Sequence, residues 1–199
     1  IVSEMPNMKY LQIFSHIITC LVEGEFMQME DVYRIDQGIE RYMTKTQKKT
    51  ADFMEGCMEL GGLLGGWSES EIVELKKYGH ALGMAFHITD DIMDYRETTE
   101  TTGKPVGNDL REGLLTYPLL SIVNDDNKDK LLEDIKALNN GGDEQAIIDY
   151  VIGQGGIDNT LAVADKYCKD ALAALEAIRD FPGKEFLVMA VENLADRKV

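Results

Sequence analysis

Several classes of protein are excluded by what this 199-residue sequence lacks. Basic residues are scarce, with 20 Lys and Arg against 36 Asp and Glu and a formal net charge of −16. Nucleic acids and anionic membrane surfaces both attract basic segments, so neither is an expected partner. No uninterrupted apolar run is long enough to span a bilayer, and no secretory leader begins the chain. We therefore expect no nucleic-acid partner and no transmembrane segment.

Cysteine is also rare, and the spacing of the cysteines does not indicate a metal site or a redox site. Cys20, Cys57 and Cys168 show no CxxC spacing and are odd in number. All three lie in apolar patterns of helical period. We interpret them as reduced core residues of a cytoplasmic protein, in preference to metal or redox ligands.

Apolar residues recur at helical intervals along nearly the whole chain, and no segment has a convincing strand pattern. Glycine and proline residues separate these helical segments. The sequence therefore predicts a single all-α domain over residues 1–199, with a loop at residues 96–113 and Ser68 or Ser70 as a helix N-cap. The predicted helices cover residues 8–29, 35–64 (broken into a short and a longer helix), 69–95, 116–123, 128–138, 144–152, 159–178 and 184–194.

Three aspartates, Asp90, Asp91 and Asp94, lie within five residues near the end of the predicted 69–95 helix. Asp90 and Asp94 share one helix face, and Asp91 is turned aside by about a quarter of a turn. Carboxylates this close on a mostly buried helix repel one another unless a cation neutralises them. Oxygen ligands with room for water and phosphate are typical of Mg²⁺ sites. A solvated acidic helix end is the alternative.

Other segments offer groups suited to phosphate. Lys104 lies in the Gly- and Thr-rich loop directly after the aspartates, where such a loop can close over a ligand. Lys49 and Thr50 lie within a predicted helix, where lysine is ordinarily a solvated side chain. Gln28 follows Glu25 by about one helical turn, a spacing that an ordinary polar patch would also show.

Together, the order and spacing of these segments resemble the trans-type polyprenyl (isoprenyl) diphosphate synthases. The resemblance covers about residues 24–120 and rests on motifs that the sequence contains in this order: Gly24-Glu25-x-x-Gln28, Lys49-Thr50-Ala51, Gly79…Gly83-x-Ala85-Phe86, Asp90-Asp91-x-x-Asp94 and Gly103-Lys104-Pro105-x-Gly107-x-Asp109. It implies a helical bundle with a central cavity, usually in a homodimer. Family members carry two aspartate-rich motifs, and the motif here matches the second.

The resemblance also implies an activity and roles for individual residues. The activity is condensation of isopentenyl diphosphate with an allylic diphosphate by Mg²⁺-assisted ionisation, which gives a longer trans-polyprenyl diphosphate. Mg²⁺ ligation falls to Asp90, Asp91 and Asp94. The residues implied in diphosphate binding are Lys49, Thr50, His87, Lys104 and Gln28. Lys49, Lys104 and Asp90 are the predicted catalytic residues.

The sequence departs from the family pattern in three ways. His87 stands where glutamine is common, which leaves a pocket hydrogen-bond donor and a metal ligand as its two interpretations. Leu114 stands where many members have lysine. Nothing before Gly24 matches the family's N-terminal half, including the first aspartate-rich motif. We therefore expect these residues to correspond to about the C-terminal two-thirds of a synthase and to be inactive alone.

Three other functions fit parts of the pattern. A terpene cyclase also ionises allylic diphosphates, but its second metal motif is usually a spaced Asn/Ser/Glu set. A non-catalytic partner subunit of a heteromeric synthase usually loses aspartates that this chain keeps. A His/Asp metal hydrolase would need a second histidine cluster, and His16 and His80 lie elsewhere at no ligand spacing.

Overall fold

The structure, a computed structural model, describes residues 7–96 and 107–196, and within these ranges every regular element is helical, as predicted. No helix in these ranges is long and apolar enough to cross a membrane. The α-helices are α1 (Met8–Glu30), α2 (Gly38–Thr46), α3 (Asp52–Leu64), α4 (Glu69–Arg96), α5 (Asn108–Glu112), α6 (Tyr117–Leu120), α7 (Lys128–Ala137), α8 (Glu144–Gly153), α9 (Gly156–Glu176) and α10 (Lys184–Asp196).

Helix α4 is the central element of the fold. It begins with a capping box, in which the Ser68 hydroxyl accepts the Glu71 N–H (3.4 Å) and the Glu71 carboxylate accepts the Ser68 N–H (3.0 Å). Of the two predicted N-caps, Ser68 is therefore confirmed. Helix α3 packs on one side of α4 and α9 on another. Because α4 is covered on several sides, its buried residues do not form one narrow stripe.

The core is divided into two clusters along α4. Met84, Ile88 and Ile92 in its second half pack with buried side chains from α2 and from helices α5 to α9. Leu75 and Tyr78 in its first half pack against α9 and α10. The aspartate-bearing end of α4 is thus held on a packed helix rather than on a free loop.

The segment between α2 and α3 differs from its prediction. We expected residues 35–64 to break into two helices, but residues 38–64 run on without interruption through a π-helical turn at Gln47–Ala51. A π turn inserts one residue into the helical repeat and is frequent at functional sites. Lys48, Lys49 and Thr50 all lie in this turn, so it changes the directions of the side chains that the sequence singled out.

The cysteine prediction is correct for two of the three residues. Cys20 and Cys168 are buried, as expected of core residues, whereas Cys57 is exposed. The prediction for Cys57 is therefore wrong. The small neighbouring residue Gly56 is the one that faces α1, where it lies against Ile17, and Cys57 is turned outward.

Candidate functional site

A cavity of about 200 Å³ brings together residues from α1, α2, α4 and α5. Its lining residues are Gln28, Tyr42, Lys45, His87, Asp90, Asp91, Asp109, Leu114, Leu115 and Thr116. Four residues that the sequence singled out therefore line one space, although they are up to 63 positions apart in the chain (28 to 91). A larger groove of about 690 Å³ between α3, α4 and α9 contains none of them, so the smaller cavity is the candidate site.

Asp91 is the buried carboxyl of the cavity, with 6% of its surface exposed. The Tyr42 hydroxyl donates a hydrogen bond to one carboxyl oxygen, and the Tyr117 N–H donates to the same oxygen at 3.3 Å. Burial is the main cause that raises the pKa of Asp91 to about 8. The two hydrogen bonds oppose this shift, and the nearby charges of Asp109 and Asp90 add to it. The cavity thus favours the protonated, neutral form of Asp91 in the metal-free chain.

Asp90 lies next in the chain but is exposed at the mouth of the cavity. Among the described residues, no side chain or backbone group is within hydrogen-bonding distance of its carboxylate. Asp90, Asp91 and Asp109 therefore line one space from two helices. Carboxylate oxygens are the ligands that a hard divalent cation such as Mg²⁺ prefers.

Asp94 has a different environment. Its two carboxylate oxygens accept the backbone N–H groups of Asn108 (3.1 Å) and Asp109 (3.2 Å), so it caps the N-terminus of α5. Asp94 does not line the described part of the cavity. Its predicted role as a metal ligand stays a prediction, and the structure adds that Asp94 positions Asp109.

Helix α5 lies inside the segment predicted to be a loop, and that prediction is wrong for residues 108–112. The helix is bounded by Gly107 and Gly113, which both adopt the left-handed conformation (φ 74°). This conformation is strained for residues with a side chain, so the two glycines fix where the helix starts and stops. The cap from Asp94 supplies the stabilisation that so short a helix lacks alone.

Lys49 projects from the π turn towards α1. Its ammonium group contacts the Gln28 side-chain oxygen at 2.6 Å and the Glu25 carboxylate at 2.8 Å. Gln28 lines the cavity, so Lys49 stands at the cavity's edge with its charge directed at the residues that the sequence grouped with it. Gly24 permits this approach, because a Cβ there would lie 2.6 Å from Lys49 Cγ.

His87 and Thr50 form a second contact between the π turn and α4. Thr50 Oγ1 lies 2.8 Å from His87 Nδ1, and His87 Nε2 lies 4.0 Å from Asp91. Burial, with smaller contributions from the positive charges of Lys49 and Lys45, lowers the pKa of His87 to about 4. The imidazole is therefore neutral at physiological pH and carries one N–H donor.

Lys45 lines the cavity, and the sequence analysis missed it. The residue is only 8% exposed, and its ammonium group lies 3.0 Å from Gln37 Oε1 and 3.4 Å from buried Asp31. Burial lowers its pKa, whereas the Asp31 charge raises it. Lys45 lies one turn before Lys49. Because every residue from 44 to 50 is polar, the sequence does not indicate which of these side chains faces the interior. Lys104, the other predicted phosphate ligand, lies outside the described residues.

The buried carboxyl of Asp91 should make the stability of the folded chain depend on pH. Because its pKa in the folded chain is raised from 3.8 to about 8, its contribution to stability is complete below pH 3.8 and is lost as the pH rises towards 8. An asparagine side chain at this position would keep the shape without a carboxyl to ionise. We expect Asp91→Asn to raise the free energy of unfolding of the metal-free chain at pH 7 by roughly 1–2 kcal/mol.

Urea unfolding in a chelator, at several pH values between about 5 and 8, would measure this effect. The gap between Asp91→Asn and the wild type should widen as the pH rises. Asp158→Asn, at an exposed position on α9, is the matched control and should show no such trend. A gap that stays constant across the range would contradict the account of Asp91.

Comparison with known proteins identifies the family of this chain. The family model described as Polyprenyl synthetase matches residues 1–153. The chain is 31% identical over 176 residues to heptaprenyl diphosphate synthase component 2 of Geobacillus stearothermophilus and 30% identical over 189 residues to octaprenyl diphosphate synthase of Escherichia coli. These alignments cover 88% and 94% of this chain. The chain spans only 55% and 58% of the lengths of these two relatives.

Solved structures of polyprenyl synthases have the same all-α fold as this chain. The crystal structure of heptaprenyl diphosphate synthase from Staphylococcus aureus superposes with a TM-score of 0.87 at 27% identity, covering 98% of this chain and 62% of that one. A polyprenyl synthase from Caulobacter crescentus complexed with calcium and isoprenyl diphosphate gives a TM-score of 0.85 at 29% identity, covering 97% of this chain and 60% of that one. The motif-bearing helices, the all-α fold and the family match together show that this chain belongs to the polyprenyl synthetase family.

Proposed function

We propose that the whole protein is a polyprenyl diphosphate synthase, which condenses isopentenyl diphosphate with an allylic diphosphate to give a longer trans-polyprenyl diphosphate. One observation carries the proposal. Asp90 and Asp91 share a cavity with Gln28 and His87, and Lys49 stands at its edge. These residues come from separate helices, and a bound diphosphate with its metal ions is one ligand that needs them all together.

The proposed reaction begins when the bond between C1 of the allylic substrate and the diphosphate oxygen breaks. The leaving diphosphate takes the electron pair, and the allylic group becomes a carbocation. The double bond of isopentenyl diphosphate then attacks C1 to form the new carbon–carbon bond. Loss of one proton to the released diphosphate restores a double bond. Stabilising the negative charge of the leaving group in a preorganised site lowers the barrier to the first step.

We propose Mg²⁺ as the cofactor, with Asp90 as a direct ligand and with Asp91 and Asp94 acting directly or through water. Bound Mg²⁺ would supply positive charge to the leaving diphosphate. The position of Asp90 and Asp91 in one cavity with Gln28 and His87 supports a cation at this position. The Caulobacter crescentus relative, whose structure holds calcium and isoprenyl diphosphate, supports the pairing of a divalent cation with such a substrate.

The chain's own cations have a separate proposed task. We assign diphosphate binding to Lys49 together with Lys104, and the structure suggests Lys45 as a further cation facing the cavity. Lys49 would exchange its contacts with Glu25 and Gln28 for phosphate oxygens. His87 is neutral, so it would donate a hydrogen bond to the ligand without adding charge. Thr50 holds the ring of His87 in place.

We further propose that the whole protein is a homodimer. An apolar stripe on α1, formed by Phe14, Ile18 and Val22 at intervals of one turn, is 44–49% exposed in the described chain, which supports a partner surface. The relative from Geobacillus stearothermophilus is named component 2, which favours a heteromeric synthase as the second candidate. Sedimentation of the purified whole protein distinguishes the two, because a single polypeptide at twice its mass supports the homodimer and a monomer contradicts it.

Adjacent lysines in the π turn provide a matched test of diphosphate binding. Lys49 reaches the edge of the cavity, whereas Lys48 pairs with the exposed carboxylate of Glu23. A charge-assisted hydrogen bond contributes about 1.5–3 kcal/mol, so we expect Lys49→Ala to weaken binding by roughly 10-fold to 100-fold. Lys48→Ala should change the affinity by no more than about twofold, because an exposed ion pair contributes little.

The measurement is isothermal titration calorimetry of the 199-residue chain with a thiolo analogue of an allylic diphosphate, which does not ionise, in Mg²⁺ and again in a chelator. Binding that requires Mg²⁺ and is weakened only by the change at Lys49 supports the proposed site. Equal effects of the two substitutions, or binding indifferent to Mg²⁺, would contradict it.

A further inference from the structure

A second group of metal-ligating side chains lies where α1 meets the start of α3. His16, Cys20 and Asp52 place an imidazole nitrogen, a thiol sulfur and a carboxylate oxygen all within 4.8 Å of one another. Cys20 Sγ lies 3.6 Å from His16 Nε2. None of these residues lines the aspartate cavity.

The fold explains why these residues meet. His16 and Cys20 are four positions apart on α1, so they share a helix face. Cys20 belongs to the buried side of α1, together with Ile17, which packs closely over Gly56 of α3. Asp52 is the first residue of α3, directly after the π turn. The sequence analysis set His16 aside because the chain shows no second histidine cluster, and Asp52 lies 36 residues beyond His16 along the chain.

The donor set differs in kind from that of the aspartate cavity. Mg²⁺ prefers oxygen ligands, whereas thiolate and imidazole favour zinc and similar transition-metal ions. A separate cavity of about 280 Å³ is lined by His16 and Asp52, and it also contains Glu55, Glu59 and Lys76. This cavity gives an ion a path from solvent and leaves room for a water ligand.

We propose that His16, Cys20 and Asp52 bind a borderline-soft divalent metal ion of the zinc class, with a fourth coordination position that faces the 280 Å³ cavity. Three protein ligands and one open position are an established arrangement for zinc in proteins. The bound ion would tie α1 to the end of the π turn that carries Lys49. The inference does not depend on the proposed synthase activity.

Metal uptake at this site requires Cys20 to lose a proton. Burial, with a smaller contribution from the Asp52 carboxylate, raises the pKa of Cys20 to about 11. The metal-free thiol therefore keeps its proton at neutral pH. Binding of the ion replaces that proton with a sulfur–metal bond, and the proton passes to the buffer.

A rival location lies beside the proposed one. Asp52 also forms a triad with Glu55 and His80, whose ligand atoms lie within 4.8 Å of one another. That triad has only oxygen and nitrogen donors, and Glu55 is already paired with Lys76 at 3.4 Å. The thiol-containing set is therefore the better zinc site, and His80 provides the variant that distinguishes the two.

The test is titration of the metal-free 199-residue chain with Co²⁺, whose thiolate complexes absorb in the near ultraviolet through sulfur-to-metal charge transfer. We expect this band to appear with release of one proton per ion and to disappear when Zn²⁺ is added. It should be lost in Cys20→Ser and reduced in His16→Ala. It should persist in Cys57→Ser, the matched exposed thiol, in His80→Ala and in excess Mg²⁺.

Circular dichroism of each metal-free variant checks that its helices remain, and zinc affinity measured with a competing chromogenic chelator gives a second readout. Absence of the band in the wild type would overturn the proposal. So would a band that survives in Cys20→Ser, or zinc affinity that falls in His80→Ala and not in His16→Ala.

Discussion

Replacing Asp90 with alanine is expected to lower the turnover of the whole protein by roughly 10²–10³-fold and to abolish Mg²⁺-dependent binding of the diphosphate analogue by the 199-residue chain. Asp90 is exposed, and no described group hydrogen-bonds to its carboxylate. The substitution therefore removes a proposed ligand without leaving a buried partner unsatisfied. The fold should be preserved, because substitutions at such positions usually change stability by no more than about 0.5 kcal/mol.

Of the three aspartates in the motif, Asp90 is the one whose substitution tests metal binding without disturbing the fold. Asp91 is buried under Tyr42, and Asp94 caps α5, so alanine at either position would disturb structure as well as binding. Asp158→Ala on α9 controls for the loss of one exposed negative charge and should leave turnover unchanged. Near-normal kinetics in Asp90→Ala, with the same melting temperature as the wild type, would remove Asp90 from the proposed metal site.

The sequence predicted the parts of this protein that depend on local pattern. Helical periodicity located the long helices, and Ser68 was one of the two N-caps predicted for α4. The DDxxD motif and the Lys49-Thr50 pair selected residues that the fold does bring close together: Gln28, His87, Asp90 and Asp91 line one cavity, and Lys49 and Thr50 contact two of them. The roles of these residues in catalysis stay predictions.

What the sequence did not predict depends on contacts between distant segments. The π turn has no propensity signature, and it is held where α1 and α4 both pack against it. The inward direction of Lys45 and the outward direction of Cys57 follow from that helix geometry, not from their neighbours in sequence. Helix α5 forms because the Asp94 carboxylate, fourteen residues before Asn108, caps it. Each of these features required a partner that periodicity alone cannot identify.

Gly83 of α4 is where the packing of the π turn can be tested, and Gly83→Ala is expected to destabilise the chain by about 1–3 kcal/mol through overpacking. A Cβ at this position would lie 2.6 Å from Ala51 Cα and 3.2 Å from the Thr50 carbonyl oxygen, and backbone atoms cannot rotate away as a side chain can. Helix α4 and the π turn must therefore separate. Because His87 lies one turn beyond Gly83, the 2.8 Å contact between Thr50 and His87 should weaken as well.

Gly61→Ala on α3 is the matched control, because nothing lies within 4 Å of the Cβ it would add. Alanine at an open helical position should stabilise the chain by about 0.5–1 kcal/mol, so the two identical substitutions have opposite expected signs. Thermal unfolding gives the stability, and calorimetry with the diphosphate analogue gives the affinity, which should fall only in Gly83→Ala. Equal stability of the two variants would show that the π turn tolerates displacement. Unchanged affinity in a destabilised Gly83→Ala would show that the Lys49-Thr50 pair is not held in place by α4, and that the site is assembled by the ligand itself.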